Sequence, residues 1–179
     1  MKTLVVITGH PGSGKSSIAR ELSDMFAIPY LSKDALKEKM FDSLGAGDKE
    51  WSLKASAAAH RIMDEIVANH LAIGQSIIVE SNFKAGIDSE RFTAILSEHG
   101  ANCLQILCEA EGEILFKRWV ERIEQSQRHE GHVEKISLEQ IKSDLAEPYE
   151  KLHMPGAFMR IATDDFSTVN AELEKLPLR

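Results

Sequence analysis

Short, unbroken apolar runs alternate along the chain with stretches in which apolar residues recur every three or four positions. Leu4-Val5-Val6-Ile7 is continuous, the pattern of a strand buried on both faces. Ile18, Leu22, Met25 and Phe26 then mark one face of a helix. Ile28 to Ser32 reads as a second short strand, interrupted early by Pro29. A long helix is predicted from about Trp51 to Ile73, with Ala55, Ala59, Ile62, Ile66 and Leu71 on one side and Gly74 as its stop. Ser76 to Val79 is the next strand. Phe92, Ile95 and Leu96 mark a helix ended by Gly100, and Cys103 to Cys108 is a fourth strand. A helix follows over Ile114 to Ile123. Ser137 and Gln140 form a capping-box pattern ahead of Leu138, Ile141 and Leu145. Phe158 to Ala162 is a weak fifth strand, and Phe166, Val169, Leu173 and Leu176 give a closing helix.

Strands alternating with helices of this length require crossover connections, hence an α/β fold with a mainly parallel five-stranded sheet and helices on both faces. Such folds place their chemistry beyond the carboxyl ends of the strands. Four segments qualify: Gly9 to Ser16, Ser32 to Asp34, Glu80 to Phe83, and Thr163 to Asp165.

Composition narrows the picture. The chain has 179 residues, 43% hydrophobic and 27% charged, which excludes a disordered or collagen-like protein and suits one domain over 1–179. Ile66 to Val79, the longest charge-free apolar-rich stretch, contains Asn69, His70 and Gln75 and falls short of the about 20 residues a membrane span needs. Met1-Lys2 followed by Leu4 to Ile7 is too short for a secretory signal, so a cytoplasmic location is expected. With 21 basic against 28 acidic residues, net −7, phosphate affinity must come from a local site and not from a general attraction to nucleic acid. Cys103 and Cys108 lie five apart in one predicted strand, on opposite faces, and read as packing residues that cannot bridge.

That local site stands directly after the first strand. Gly9-His10-Pro11-Gly12-Ser13-Gly14-Lys15-Ser16 satisfies every fixed position of the P-loop (Walker A) pattern G-x-x-x-x-G-K-[ST]. Glycines let the backbone wrap an anion, converging N–H groups bind phosphate, and the following helix adds the positive end of its dipole. Lys15 supplies a mobile cation for the β and γ phosphates, and the Ser16 hydroxyl can ligate Mg²⁺. The nucleotide-binding residues are therefore Gly9 to Ser16 together with Ser17, and the expected cofactors are ATP and Mg²⁺.

At the second strand end stand Ser32-Lys33-Asp34, then Lys37. A carboxylate there can orient an acceptor hydroxyl and take its proton, and Asp34 equally suits a helix N-cap before Ala35-Leu36. Gly-x-Pro-Gly-Ser-Gly-Lys-Ser after a strand, then Ser-x-Asp-x-x-Lys, resembles the P-loop kinases related to 5′-hydroxyl polynucleotide kinases, zeta toxins and chloramphenicol phosphotransferases, a group of AAA-type ATP-binding kinases. The resemblance implies a three-layer α/β/α P-loop NTPase fold with a helical lid, here at approximately 116–136, and a catalytic base at Asp34. Where the polynucleotide kinases carry an Arg, this chain has Lys37, a weaker clamp for a substrate phosphate and a point against a strict nucleic-acid substrate. Glu80-Ser81-Asn82-Phe83 is similar to the family's Asp-Thr-Asn after an apolar run, implying a metal role for Glu80 and a substrate contact for Asn82; a plain strand-end turn is the alternative.

Arg118 and Arg122 lie four apart on one helix face, and Arg128 follows. In the lid that this segment resembles, arginines close over the transferring phosphates; the alternative is pairing with Glu121, Glu124 or Glu130. His129 and His132 offer no usable metal-ligand set and are tied to the lid, with Gly131 letting it bend. Asp164 and Asp165 are expected to cap the final helix. Residues 43 to 60 are expected to shape the acceptor pocket.

The leading expectation is an ATP-dependent, Mg²⁺-requiring transfer of the γ-phosphoryl group to a hydroxyl of a small-molecule or nucleotide-like acceptor, with Lys37 and Asn82 on the acceptor. A 5′-hydroxyl nucleic-acid kinase and a non-kinase nucleotide-dependent regulatory ATPase are the alternatives. No membrane partner is expected, and acceptor identity and oligomeric state are not encoded in any motif.

Overall fold

The computed structural model describes residues 2–125, 129, 131, 137–176 and 178. Five parallel strands, β1 (Thr3–Gly9), β2 (Tyr30–Ser32), β3 (Ile77–Glu80), β4 (Asn102–Glu109) and β5 (Ala157–Ala162), lie in the order β2-β3-β1-β4-β5. Among the described residues the helices are α1 (Lys15–Phe26), α2 (Lys33–Leu44), α3 (Lys49–Ala72), α4 (Ala85–His99), α5 (Gly112–Glu124), α6 (Leu138–Ala146) and α7 (Val169–Leu173). The expected mainly parallel sheet is wholly parallel, and no described helix is long and apolar enough to cross a membrane.

Helices cover both faces of the sheet. Val5, Ile7, Ile106 and Cys108 pack against Ile18, Leu22, Val169 and Leu173 on one side. Leu4, Val6, Val79 and Cys103 meet Met63, Val67, Leu71, Phe92 and Leu96 on the other. The two cysteines therefore enter different cores, and burial pushes both thiols up to about 12, where they stay protonated and inert.

Two predicted faces need correction. The buried stripe of α3 is Ala55, Ala59, Met63, Val67 and Leu71, while Ile62 is exposed. Strict four-residue spacing, not the most apolar residue available, follows the ridge that packs on the sheet. Phe166 does not join the core of the closing helix. It sits in a short 3₁₀ turn, partly exposed, with Asp165 capping that turn through Ser167 N (2.9 Å).

Polar side chains pin the long connection between α6 and β5. The Tyr149 hydroxyl donates to Phe83 O (2.8 Å), and Ser89 Oγ accepts from His153 N (2.9 Å). The buried Gln105 amide pairs with both backbone groups of Leu152. Beneath Phe83, Arg91 joins the carboxylates of Asp64 on α3 and Asp88 on α4 while its guanidinium lies 4.5 Å from the Phe92 ring centroid. Asp88 also caps α4 by accepting from Lys84 N (2.6 Å). Burial holds the Asp64 carboxyl above its ordinary value, which the arginine opposes.

Arg91→Ala would leave two partly buried carboxylates without their shared cation. The expected loss is about 2–3 kcal/mol of unfolding free energy, read from urea denaturation near neutral pH.

Candidate functional site

Strand register gathers the site. Glu80 is level with Ile7 on one side and Ser32 on the other, so the ends of β1, β2 and β3 form one rim. The chain leaves β1 toward the β2 edge and later crosses to β4, so the loop after β1 lies at the point where strand order reverses, where ligands bind in open α/β sheets. A cavity of about 760 Å³ opens there, lined by the P-loop, the start of α2, Glu80, Asn82, Ser56, the cleft-facing side of α5 and Phe166.

The loop needs its glycines for two reasons. Gly12 and Gly14 adopt φ of 82° and 78°. Around Gly9 and Gly14 there is also no room: a Cβ on Gly9 would stand 2.3 Å from Cys108 O, and one on Gly14 would stand 2.2 Å from the Phe166 ring. Gly14 occupies the cap position of α1 with no side-chain cap, so the first-turn amides of Lys15, Ser16 and Ser17 remain for an anion.

Inside this turn, the buried Lys15 ammonium donates to Gly9 O (3.1 Å) and His10 O (2.7 Å). Burial lowers its pKa, and the Glu80 carboxylate opposes that shift most strongly. Ser16 Oγ donates to Glu80 Oε1 (2.9 Å) across the cavity floor. Hydroxyl and carboxylate oxygens suit magnesium, which takes few protein ligands and completes its shell with phosphates and water. Among the described residues no group of three or more His, Cys, Asp and Glu forms a protein cage for a metal. Neither His10 nor Ser13 is among the residues lining the cavity. The His10 ring hydrogen-bonds Glu147 O (2.8 Å) and meets Tyr149 edge-on, and Ser13 Oγ is buried without a partner.

Across the cleft, Asp34 occupies the first turn of α2, its side chain half exposed and paired with Lys33 Nζ (2.9 Å). It is not the N-cap: Ser32 Oγ fills that position by accepting from Ala35 N (3.3 Å). Asp34 lines the same cavity as Lys15, Ser16 and Glu80, as does Asn82. Lys37 also reaches the cavity wall but is buried and donates to Ser52 Oγ (2.9 Å), which in turn donates to Gly131 O (3.1 Å).

The two helical arginines differ in setting. Arg118 donates to Thr163 O (2.6 Å), Thr163 Oγ1 (3.3 Å) and Gly12 O (3.3 Å), with its guanidinium 5.3 Å from the centroid of Phe166. It is a fixed wall beside the loop. Arg122 faces the cavity one turn later, and its charge is felt at Lys15. Arg128 and His132 lie outside the described residues. His129 stacks on Phe41 and contacts Asp42 (3.2 Å), and Gly131 lies against the same ring, so glycine there allows a close approach where a bend was expected. Asp164 accepts from Glu111 N (2.8 Å), at the start of α5 and not at the final helix.

Sequence reasoning missed Phe166 as a cavity residue, and it covered Ser56 only through the expectation that residues 43 to 60 shape the pocket. Phe166 carried a core-like apolar signal, and Ser56 is one small residue in an alanine-rich run.

A profile of the AAA domain family matches residues 4–148. A candidate kinase from Chloroflexus aurantiacus J-10-fl is 35% identical with a TM-score of 0.90, over 97% of this chain and 95% of that one. Two more distant structures share the fold. The Mycobacterium tuberculosis APS kinase CysC, in complex with AMPPNP and APS, has a TM-score of 0.59 at 16% identity, covering 98% of each chain. Chaetomium thermophilum Kti12, in complex with ADP-AlF3, has a TM-score of 0.63 at 19% identity, covering 96% of each chain. No curated protein matches the chain.

Burial lowers the pKa of His10 and, on α3, of His60. Both stay neutral in the folded protein at pH values where the unfolded chain, with imidazoles near about 6.5, binds protons. Stability is therefore expected to be undiminished above that value and to decline as pH falls through it, by at most about 1.4 kcal/mol per pH unit per histidine. Urea denaturation between pH 7.5 and 5.5 measures the decline, and His10→Gln is expected to make it shallower.

Proposed function

Since the chain belongs to the AAA domain family and has the fold of P-loop kinases, we propose that it transfers the γ-phosphoryl group of ATP to a hydroxyl of a small acceptor. One observation carries this reading: Asp34 and the phosphate-binding loop line a single cavity.

In this reading the loop amides and Lys15 hold the triphosphate, with the ammonium leaving the Gly9 and His10 carbonyls for phosphate oxygens. Ser16 and Glu80 would hold Mg²⁺. Bound there, the ion neutralises charge on the β and γ phosphates. Asp34 accepts a hydrogen bond from the acceptor hydroxyl and directs its oxygen at the γ-phosphorus. The new O–P bond forms as the bond to the β–γ bridging oxygen breaks, ADP departs with that electron pair, and the hydroxyl proton passes to Asp34 and then to solvent. The transition state is loose, so alignment contributes more than basicity. Arg122 meets the charge of the moving group, and Arg118 with Phe166 forms the wall on the nucleotide side. The chain works as one domain over 1–179; the lid expected at approximately 116–136 falls partly outside the described residues, and its described part, the end of α5, lines the cavity.

Asp34→Asn is expected to lower acceptor-dependent ADP release at least about 100-fold while ADP affinity by calorimetry changes little. Full turnover in that variant overturns the mechanism. Arg122→Ala should act mainly on kcat. Arg118→Ala should raise the KM for ATP and lower the Tm, because its loss frees Thr163 and Gly12 from their shared donor.

A further inference from the structure

Among the charged side chains lining the cavity, two cations stand apart. Lys15 is bound to the loop carbonyls, Lys33 pairs with Asp34, Lys37 donates to Ser52 and Arg118 donates to Thr163. The carboxylates are engaged as well: Glu80 accepts from Ser16, Lys117 reaches Glu121 (4.0 Å), and Glu38 has a partner of its own. Arg20 and Arg122 line the same cavity, both exposed, with neither a hydrogen bond nor an ion pair among the described residues. Arg122 meets the moving phosphoryl group in the kinase reading. Arg20 has no part in that chemistry.

Strand register shows where Arg20 lies. Ser16 touches Glu80, and Glu80 is level with Ser32. Helix α1 connects two parallel strands and so runs back along the sheet. Arg20 follows Ser16 by one turn, about 6 Å along α1 and on the same side of the helix. Tyr30 precedes Ser32 on β2, about 7 Å back along the strand. Both steps run in the same direction, so Arg20 and Tyr30 stand at one level, a turn below the rim that carries Ser32 and Asp34. Tyr30 is half-buried against the core that holds Ile18, Ala19 and Leu22 of α1, and its hydroxyl makes no hydrogen bond among the described residues. Both residues line the cavity at the β2 edge of the sheet, whereas Arg118 and Phe166 stand by Thr163, past the end of β5 at the other edge.

We propose that Arg20 and Tyr30 form an anion subsite at the β2 edge of the cavity, and that the acceptor carries a carboxylate or phosphate group into it while Asp34 aligns its hydroxyl. The planar guanidinium presents paired donors that match either group, and the Tyr30 hydroxyl adds another. An anion arriving there displaces water and no protein partner, since Arg20 has none to give up. The subsite stands on these observations by itself; its assignment to the acceptor rests on the kinase reading and narrows it.

The test uses the full chain saturated with Mg-AMPPNP, which fills the loop and keeps it from taking the anion. Calorimetric titration with inorganic phosphate is expected to find one site, weakened at least about tenfold in Arg20→Ala and partly restored in Arg20→Lys. Absence of a phosphate site in the native chain, or a site that Arg20→Ala leaves intact, overturns the subsite. A loss of AMPPNP affinity of about tenfold in that variant also overturns it, because it puts Arg20 on the nucleotide. ADP release from Mg-ATP then compares glycerol with glycerate and glycerol 3-phosphate, and glucose with gluconate and glucose 6-phosphate. An anionic acceptor is expected to exceed its neutral counterpart at least about tenfold in kcat/KM, a ratio that Arg20→Ala collapses. Whether the carboxylate or the phosphate leads identifies the group. Preference for a neutral acceptor, or turnover with none of the six, overturns the acceptor assignment. Failure of AMPPNP to bind overturns the kinase reading itself.

Discussion

The backbone between β1 and α1 passes where no Cβ fits. Cys108 O stands against Gly9, and the Phe166 ring stands against Gly14. Because both positions are glycine, β4 and the turn after β5 press directly on the loop and hold its carbonyls around the Lys15 ammonium. Helix α1 then starts at Lys15, which brings Ser16 to Glu80 at the end of β3. A side chain at either glycine would displace the loop from β4 or from Phe166, and with it the alignment on which the site depends.

Around that turn, rigid and adaptable parts are separated. Arg118 is committed to the backbone of Gly12 and Thr163, so α5 is tied to the loop and to the end of β5 at once. A small core of Leu115, Trp119, Ile141 and Leu145 joins α5 to α6, and His10 reaches back to Glu147 just beyond α6. The loop is thus supported from several sides by elements distant in sequence. Arg122 faces the cavity one turn beyond this support, and side chains that must follow charge during a reaction are best placed where packing does not hold them. Lys37, which the family resemblance places on substrate, is held through Ser52 to Gly131 at the cavity wall.

What could be read before folding follows the range of each signal. The apolar runs, the loop motif, the glycine stops after α3 and α4 and the Ser137 cap are local patterns, and each appears where local pattern puts it. Two adjacent apolar residues, Ile62 and Met63, could not be ranked that way, because which one is buried depends on how α3 settles on the sheet. Phe166 shows the same difficulty at the site. Its spacing to Val169 and Leu173 looks like a core face, but Asp165 caps a 3₁₀ turn that rotates the ring out toward Gly14.

From the sequence alone came the parallel α/β architecture, the phosphate-binding turn and a carboxylate at the next strand end, because hydrophobic period, glycine and helix-start chemistry act over a few neighbouring residues. Tertiary structure decided which arginine is a wall and which faces the cleft, and that Lys37 donates to Ser52. The Lys37 partner lies 15 residues away and the Arg118 partner 45; Arg118 competes for it with solvent and with neighbouring acids, and only the packed sheet brings Thr163 within its reach.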